Sequence, residues 1–286
     1  EYIFLKKSGR RVDESVVNQI KLIGDLRRRK FDLAINLKWK SERASLISYM
    51  SGAKVRAGYK EEKFFNVFTH YVDHPKGRYH EIYRNLDILK AIDLKITRVN
   101  PLIHISEDAK NSAENFFTAN NLEKDNTICI HPGASKASRA WLPERYAELA
   151  KRMIDDYRVK VLITYGSNEL ELAKWIVDGI GDGAYLSPET QSVSHLAAII
   201  DHCSLFLSVC TGPMNVANAV GTPIIALLGS SDPVDWAPFG KIHTTIKSPL
   251  KLAAYTDEDE REALDQISVE SVRIVTEKRW REIRNF

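Results

Sequence analysis

The sequence predicts an α/β protein with parallel sheets. Three observations lead to this class: β-branched apolar runs alternate with longer amphipathic segments, several of these runs are almost continuously apolar, and the alternation extends along the whole chain. Continuous apolar runs are typical of parallel strands that helices cover on both faces. The alternation of strands with helices is the pattern that builds such sheets.

The predicted strands are short apolar segments that end in turns or polar loops. They are residues 2–5, 33–37, 127–130, 161–165, 205–209 and 223–228. The predicted helices differ in the signal that marks them. Residues 14–29 carry apolar side chains at helical spacing, Pro143 lies in the first turn of a helix over 143–157, and Ser192 is an N-cap candidate for 192–203.

Two domains are expected, because 286 residues suit two domains of ordinary size. A polar helical segment near residues 106–125 precedes the strand at 127–130, and we place the boundary there. We expect an N-terminal α/β domain over 1–121, a C-terminal α/β domain over 122–265, and an amphipathic helix over 266–286 that packs back toward the N-terminal domain. The chain starts at Glu1 and runs directly into a predicted strand, so we expect the first strand of the N-terminal domain to be missing.

Charge is unevenly distributed. Residues 1–100 hold 22 Lys/Arg and 12 Asp/Glu, whereas residues 101–286 hold 19 and 26. A basic N-terminal half favours an acidic partner such as a phosphorylated glycolipid, a membrane surface or nucleic acid. Part of the excess has a local explanation, since residues 27–30 lie at a predicted helix end, where cations interact favourably with the helix dipole.

The cysteines and the hydropathy predict a cytoplasmic protein. The three cysteines, Cys129, Cys203 and Cys210, lie in or beside apolar runs without metal-ligand spacing, which favours buried reduced thiols. No run approaches 18 apolar residues and no signal peptide is visible, so we expect no transmembrane segment.

Loops that follow parallel strands are the expected binding sites in open α/β sheets. In the loop over 130–144, small residues would let a ligand approach the backbone and Arg139 could bind a phosphate through two nitrogens; a solvated loop is the alternative. In the loop over 165–171, Gly166 ends a strand and Glu169 opens a helix. Glu169 could bind a ribose hydroxyl, or only interact with the helix dipole.

The stretch over 208–223 predicts an anion site. Thr211 is a plausible N-cap, Pro213 fits the first helical position and Gly221 fits the helix end. The helix N-terminus would offer the N–H groups of Thr211, Gly212 and Met214 to a phosphate or diphosphate. The next loop, 227–240, carries Trp236 and Phe239, which could flank a base or sugar but are more often loop anchors. GxGxxG, Walker A and GxSxG motifs are absent from the sequence.

These loops, in this order, resemble those of the family 9 glycosyltransferases, the heptosyltransferases of lipopolysaccharide core assembly. The resemblance rests on FDLAINLKWKSERASLISYMSGAKVRAGY, IHPGASKASRAWLPERYAELA, CTGPMNVANAVGTPIIALLGSSDPVDWAPFG and the closing ISVESV. It implies a GT-B fold, in which two Rossmann-like domains with parallel sheets face each other across a cleft. It also implies inverting transfer of heptose from ADP-heptose to a lipid A–Kdo or heptose acceptor, without a metal or other cofactor and without nucleic acid, in the cytoplasm or at the inner face of the inner membrane.

The resemblance also implies roles for single residues. Arg139 falls where the family has a phosphate-binding Lys, Glu169 near its ribose-binding acid, and Thr211 and Gly212 on its Thr-Gly at the diphosphate. The predicted donor-binding residues are His131, Gly133, Ser135, Arg139, Gly166, Glu169, Cys210, Thr211, Gly212, Met214 and Asn215, and no metal ligands are predicted.

Two departures and one missing residue leave alternatives open. Cys210 replaces the family's Asp and Asn215 its His, which removes strong hydrogen-bond acceptors. The expected base, an Asp in a GD loop, would lie upstream of Glu1, because the IGDL at 23–26 is predicted to be mid-helix. The alternatives are therefore a transferase that uses another nucleotide sugar, and a degenerate protein that binds a glycan or nucleotide without transfer.

Overall fold

The computed structural model describes residues 7–8, 11–12, 16–60, 67–250 and 256–284. These residues divide into two compact units, Glu1–Val99 and Asn100–Phe286. The predicted strand over residues 2–5 lies outside the described residues.

The first unit contains a three-stranded parallel sheet of order β3-β4-β5 and a separate antiparallel pair, β1-β2. Its elements are β1 Lys7–Ser8, β2 Arg11–Val12, α1 Val16–Arg29, β3 Leu33–Ile35, α2 Glu42–Met50, β4 Val55–Tyr59, β5 His70–Val72 and α3 Glu81–Lys90. Ala57, Tyr59 and Ile88 form its buried core. Helix α1 ends in Arg27, Arg28 and Arg29, as the charge pattern predicted, and residues 23–26 lie inside this helix.

The second unit contains a six-stranded sheet of order β11-β10-β9-β6-β7-β8, in which every pairing is parallel. Its elements are α4 Glu107–Ala119, β6 Thr127–His131, α5 Pro143–Tyr157, β7 Lys160–Ile163, α6 Leu170–Ile180, β8 Ala184–Leu186, α7 Val193–Asp201, β9 Leu205–Val209, α8 Gly212–Val220, β10 Ile224–Leu228, α9 Pro233–Trp236, β11 Thr244–Lys247, α10 Asp257–Asp265 and α11 Val269–Ile283.

The strand order places a topological switch point between β6 and β9. From β6 the chain proceeds outward through β7 and β8, and from β9 it proceeds in the opposite direction through β10 and β11. Ligands in open α/β sheets bind at the carboxyl ends of strands at such a point. The loops that follow β6 and β9 are therefore neighbours at the expected binding edge.

The chain divides into the two units between residues 99 and 100, whereas the sequence suggested a boundary at 121. The reason is the packing of α4, whose Ala109, Ala113 and Phe117 are buried in a cluster with Phe206 of β9. Its polarity suggested a helix at the domain boundary, but its apolar stripe belongs to the second unit.

Helix α11 buries its apolar face within the second unit. Val272 and Trp280 are buried in the same cluster as residues of α5 and β6, and α11 packs on α5. The expected packing of residues 266–286 toward the N-terminal domain stays a prediction.

The strand–helix pattern is otherwise confirmed. Ser192 caps α7 by accepting the N–H of His195, and Gly221 ends α8 with a left-handed φ of 83°. Six short strands, β1, β2, β4, β5, β8 and β11, were not predicted: β8 has only three residues, and the other five are not continuous apolar runs.

Candidate active site

The loop after β6 begins with a buried histidine. His131 is 5% exposed; its Nδ1 lies 3.2 Å from Thr164 Oγ1 and its Nε2 lies 3.6 Å from Glu169 Oε2. Burial lowers the pKa of His131, and the Glu169 carboxylate offsets part of that effect. Thr164 Oγ1 donates to the Ile130 carbonyl at 3.3 Å, so its oxygen can accept the Nδ1–H of a neutral His131. His131 therefore contacts a predicted ligand-binding side chain and is itself covered.

Glu169 is fixed above the end of β6 by the two predicted glycines. Its Oε2 accepts the backbone N–H of Gly166 at 2.7 Å. A Cβ on Gly133 would lie 2.1 Å from the same oxygen, so only glycine leaves room for the carboxylate there. Glu169 precedes α6 and its side chain is 23% exposed. The predicted residues of the loops after β6 and β7 thus form one cluster, with the carboxylate at its surface.

Arg139 lies in a single turn of 3-10 helix, Ala137–Arg139, at the far side of the β6 loop. Its side chain is 48% exposed. Its Nε donates to Glu260 Oε1 at 2.8 Å and its Nη2 donates to the same oxygen. These hydrogen bonds raise the pKa of Arg139 and lower the pKa of Glu260. The cation is held at one end, and Ser135 is exposed on the same loop.

The N-terminus of α8 is open. A Cβ on Gly212 would have no atom of the described residues within 4 Å, apart from its chain neighbours. Thr211 occupies the N-cap position, yet its side chain makes no capping bond, and its buried Oγ1 has no partner in the described chain. The first N–H groups of a helix have no intrahelical acceptors. Backbone and hydroxyl donors therefore collect at one point.

Met214 and Asn215 differ in what their side chains do. Met214 is 1% exposed and is part of the buried cluster under α8, so only its backbone N–H can serve an anion. Asn215 is exposed, and its Nδ2 lies 3.4 Å from the Thr211 carbonyl. Its amide nitrogen donates to that carbonyl, and Oδ1 remains as an acceptor beside the helix N-terminus.

Cys210 lies between the end of β9 and Thr211, the N-cap residue of α8. Burial raises the pKa of its thiol, while a hydrogen bond with Ser231 and the charge of Arg139 act in the opposite direction. The thiol is therefore neutral at pH 7. Arg139 itself lies in the loop after β6, and β6 pairs with β9, the strand that precedes Cys210.

The sequence matches the profile of glycosyltransferase family 9 (heptosyltransferase) over residues 19–266. The chain belongs to this family. It is 27% identical over 236 residues to lipopolysaccharide heptosyltransferase 3 of Escherichia coli K12, an alignment that covers 79% of this chain and 67% of that protein. The predicted glycosyltransferase activity is confirmed by this membership.

Solved structures confirm the α/β, GT-B-type fold of this glycosyltransferase. A family 9 glycosyltransferase from Veillonella parvula superimposes with a TM-score of 0.79 at 23% identity, covering 94% of this chain and 81% of that one. The E. coli heptosyltransferase WaaC, solved with ADP-2-deoxy-2-fluoro heptose, gives 0.65 at 17% identity, covering 93% and 78%. These likenesses support the fold alone.

Three residues near the glycosyltransferase site were missed by sequence reasoning. Glu260 and Ser231 are described above. Lys247, at the end of β11, contacts the Gly229 carbonyl, and burial lowers the pKa of its ammonium group while Asp232 opposes that effect. None carries a motif, because each reaches the site only through the arrangement of the sheet. Within the described residues, no group of three or more His, Cys, Asp or Glu side chains could hold a metal ion, and no helix is both long and apolar enough to cross a membrane.

Proposed function

We propose that this chain is an inverting transferase that moves a heptose from ADP-heptose to a lipopolysaccharide core acceptor. The observation that carries the proposal is the open N-terminus of α8 after β9, in a chain of the heptosyltransferase family in which Arg139 follows the neighbouring strand β6. Helix N-termini bind phosphate groups through free N–H groups and the helix dipole. The relatives named above, heptosyltransferases in E. coli, supply the sugar and the acceptor class.

The donor is assigned to the residues that the loops bring together. Glu169, held by Gly166 and His131, accepts a ribose hydroxyl through its partly exposed carboxylate. The N–H groups of Gly212 and Met214 bind the diphosphate, and the unpartnered Oγ1 of Thr211 adds a donor.

Transfer of the sugar requires stabilisation of the negative charge that develops on the leaving diphosphate. An acceptor hydroxyl loses its proton to a carboxylate base and attacks the anomeric carbon, while the bond to the diphosphate oxygen breaks on the opposite face. The helix N-terminus and Arg139 stabilise the negative charge that develops on the diphosphate. The base is not assigned to a residue of this chain.

The acceptor would be a phosphorylated glycolipid at the cytoplasmic face of the inner membrane. The support is the charge of residues 1–100, where 22 Lys/Arg face 12 Asp/Glu. Such an excess of positive charge attracts anionic partners, over a distance that becomes shorter as the ionic strength rises.

A different nucleotide sugar is the second candidate, and Cys210 favours it. A neutral thiol stands where the family pattern has a carboxylate, so the contacts near the sugar differ while the backbone donors remain. Asn215, exposed at the same helix end, changes those contacts in the same way.

Two measurements test these proposals. A thermal-shift screen with ADP-, GDP- and UDP-sugars identifies the donor: stabilisation by ADP-heptose is expected, and stabilisation by a UDP-sugar alone would contradict it. An assay of the full-length gene product with ADP-heptose and a core acceptor tests transfer. Donor binding without product would favour a degenerate binding protein, and clear product would exclude that alternative.

A further inference from the structure

Glu260 is a buried carboxylate that divides its two oxygens between neighbours in the β6 loop. It is the fourth residue of α10, and its side chain is 1% exposed. Oε1 accepts from Nε and Nη2 of Arg139, and Oε2 accepts from Ser138 Oγ at 3.3 Å. Lys136 Nζ lies 4.0 Å from Oε2. Every one of these contacts is with the segment over 136–139.

A charge buried to this degree costs free energy unless it is paired and hydrogen-bonded. The hydrogen bonds from Arg139 lower the pKa of Glu260, so the carboxylate is charged at neutral pH. Arg139, in contrast, is half-exposed. A half-exposed arginine without an anchor would distribute over many rotamers. The fixed partner is therefore Glu260, and the group that it fixes is the guanidinium.

The hydrogen bonds leave one nitrogen of the guanidinium for another acceptor. Nε and Nη2 are bound to Glu260, and Nη1 of Arg139 makes no hydrogen bond within the described chain. Arg139 lies in the loop after β6, and α8 begins directly after β9, the strand that pairs with β6. We propose that Glu260 is a positioning residue, which orients Arg139 so that Nη1 serves the diphosphate at the N-terminus of α8. This inference rests on the proposed donor site.

If Glu260 only connected α10 to the β6 loop structurally, ligand binding would respond differently to its replacement. A binding experiment therefore distinguishes a structural role from the positioning role. The affinities of ADP and of adenosine are measured by calorimetry for the wild-type protein, Glu260→Gln, Arg139→Ala and the double variant. Adenosine has the ribose and base but no phosphate, so it reports everything except the proposed contact. Glu277→Gln is the matched control, because Glu277 also pairs with an arginine, Arg273, but within helix α11.

We expect Glu260→Gln to weaken ADP about tenfold, since a charge-assisted hydrogen bond loses its orientation. Adenosine affinity should not change. The double variant should bind ADP as Arg139→Ala does, because a residue that acts through another has no effect once its partner is gone. Glu277→Gln should bind both ligands like the wild type.

The positioning role is overturned if folded Glu260→Gln binds ADP normally, if the two single effects multiply in the double variant, or if adenosine weakens as much as ADP. Glu260→Asp, which keeps the charge and shortens the side chain, replaces Glu260→Gln should that variant fail to fold; wild-type ADP affinity would again overturn the role. Unchanged ADP binding in Arg139→Ala contradicts the phosphate role of Arg139 itself. If ADP does not bind the wild type, the donor proposal fails, and the same proteins are measured with UDP and GDP.

Discussion

Replacing Gly212 with alanine should affect folding and donor binding in opposite directions. The added Cβ would have no atom of the described residues within 4 Å, apart from chain neighbours, and Gly212 is not among the glycines with positive φ. Alanine also loses less backbone entropy than glycine in a helix. We therefore expect the free energy of unfolding to stay the same or to rise by up to about 1 kcal/mol.

Donor binding should weaken because the same methyl group occupies the approach to the free N–H groups of α8. A hydrogen bond from a neutral donor to a charged phosphate contributes roughly 1.5–3 kcal/mol, so the loss of one such bond corresponds to about a tenfold to hundredfold weaker affinity. ADP affinity by calorimetry and chemical denaturation measure the two effects separately.

Gly24→Ala is the control for this substitution. Gly24 lies in α1 of the first unit, and its Cβ would also have no described atom within 4 Å. This variant should gain stability without any change in ADP affinity. Normal ADP binding by folded Gly212→Ala would refute the reasoning, because it would show that no ligand approaches the backbone at the N-terminus of α8.

Three further results are expected. Gly133→Ala displaces the Glu169 carboxylate, because one of its oxygens would lie 2.1 Å from the new Cβ. The affinity for adenosine, measured by calorimetry, should fall about tenfold. Unchanged adenosine affinity would contradict the ribose role of Glu169. Burial, aided by the charge of Arg279, lowers the pKa of His243 from 6.5 to about 4. As the pH falls, the unfolded chain therefore binds the proton before the folded protein does, and the free energy of unfolding should fall by roughly 3 kcal/mol between pH 6.5 and 4. His243→Gln should lose less stability than the wild type when both are denatured across this range, and equal losses would exclude His243 as the cause. Arg84→Met removes the guanidinium that lies 2.6 Å from the partly buried Glu81 carboxylate. The free energy of unfolding, measured by urea denaturation, should fall by about 3 kcal/mol. A fall no larger than that for an exposed ion pair would show that water replaces the guanidinium.

The sequence predicted the loops of the site well because their signals are local. A strand end, an N-terminal cap position and a helix-ending glycine are set by a few neighbouring residues, and Thr211 and Gly221 stand at the predicted positions of α8. The conclusion that Thr211 would also cap the helix through its side chain did not follow, since the hydroxyl makes no capping bond. Whether such a hydroxyl turns inward depends on its rotamer in the folded loop.

Features that depend on distant packing could not be predicted. Glu260 belongs to four successive acidic residues, and the sequence does not show that this one is buried against Arg139 while Asp257 is exposed. The boundary near residue 121 had the same problem. The apolar stripe of α4 could cover either unit, and only the buried contact of Phe117 assigns it to the second.

Cys210 leaves the proposed diphosphate contacts of the α8 backbone unchanged. The backbone donors of α8 do not depend on the side chain at residue 210, and Arg139 has its carboxylate partner in Glu260 rather than in its neighbour across the loop. A carboxylate at residue 210 would add a negative charge beside Arg139, whereas the neutral thiol leaves the guanidinium charge available to the leaving group. The replacement is therefore compatible with the proposed phosphate binding by the backbone N–H groups of α8. On this reasoning the proposed site still binds a nucleoside diphosphate, and the screen with ADP-, GDP- and UDP-sugars identifies its base.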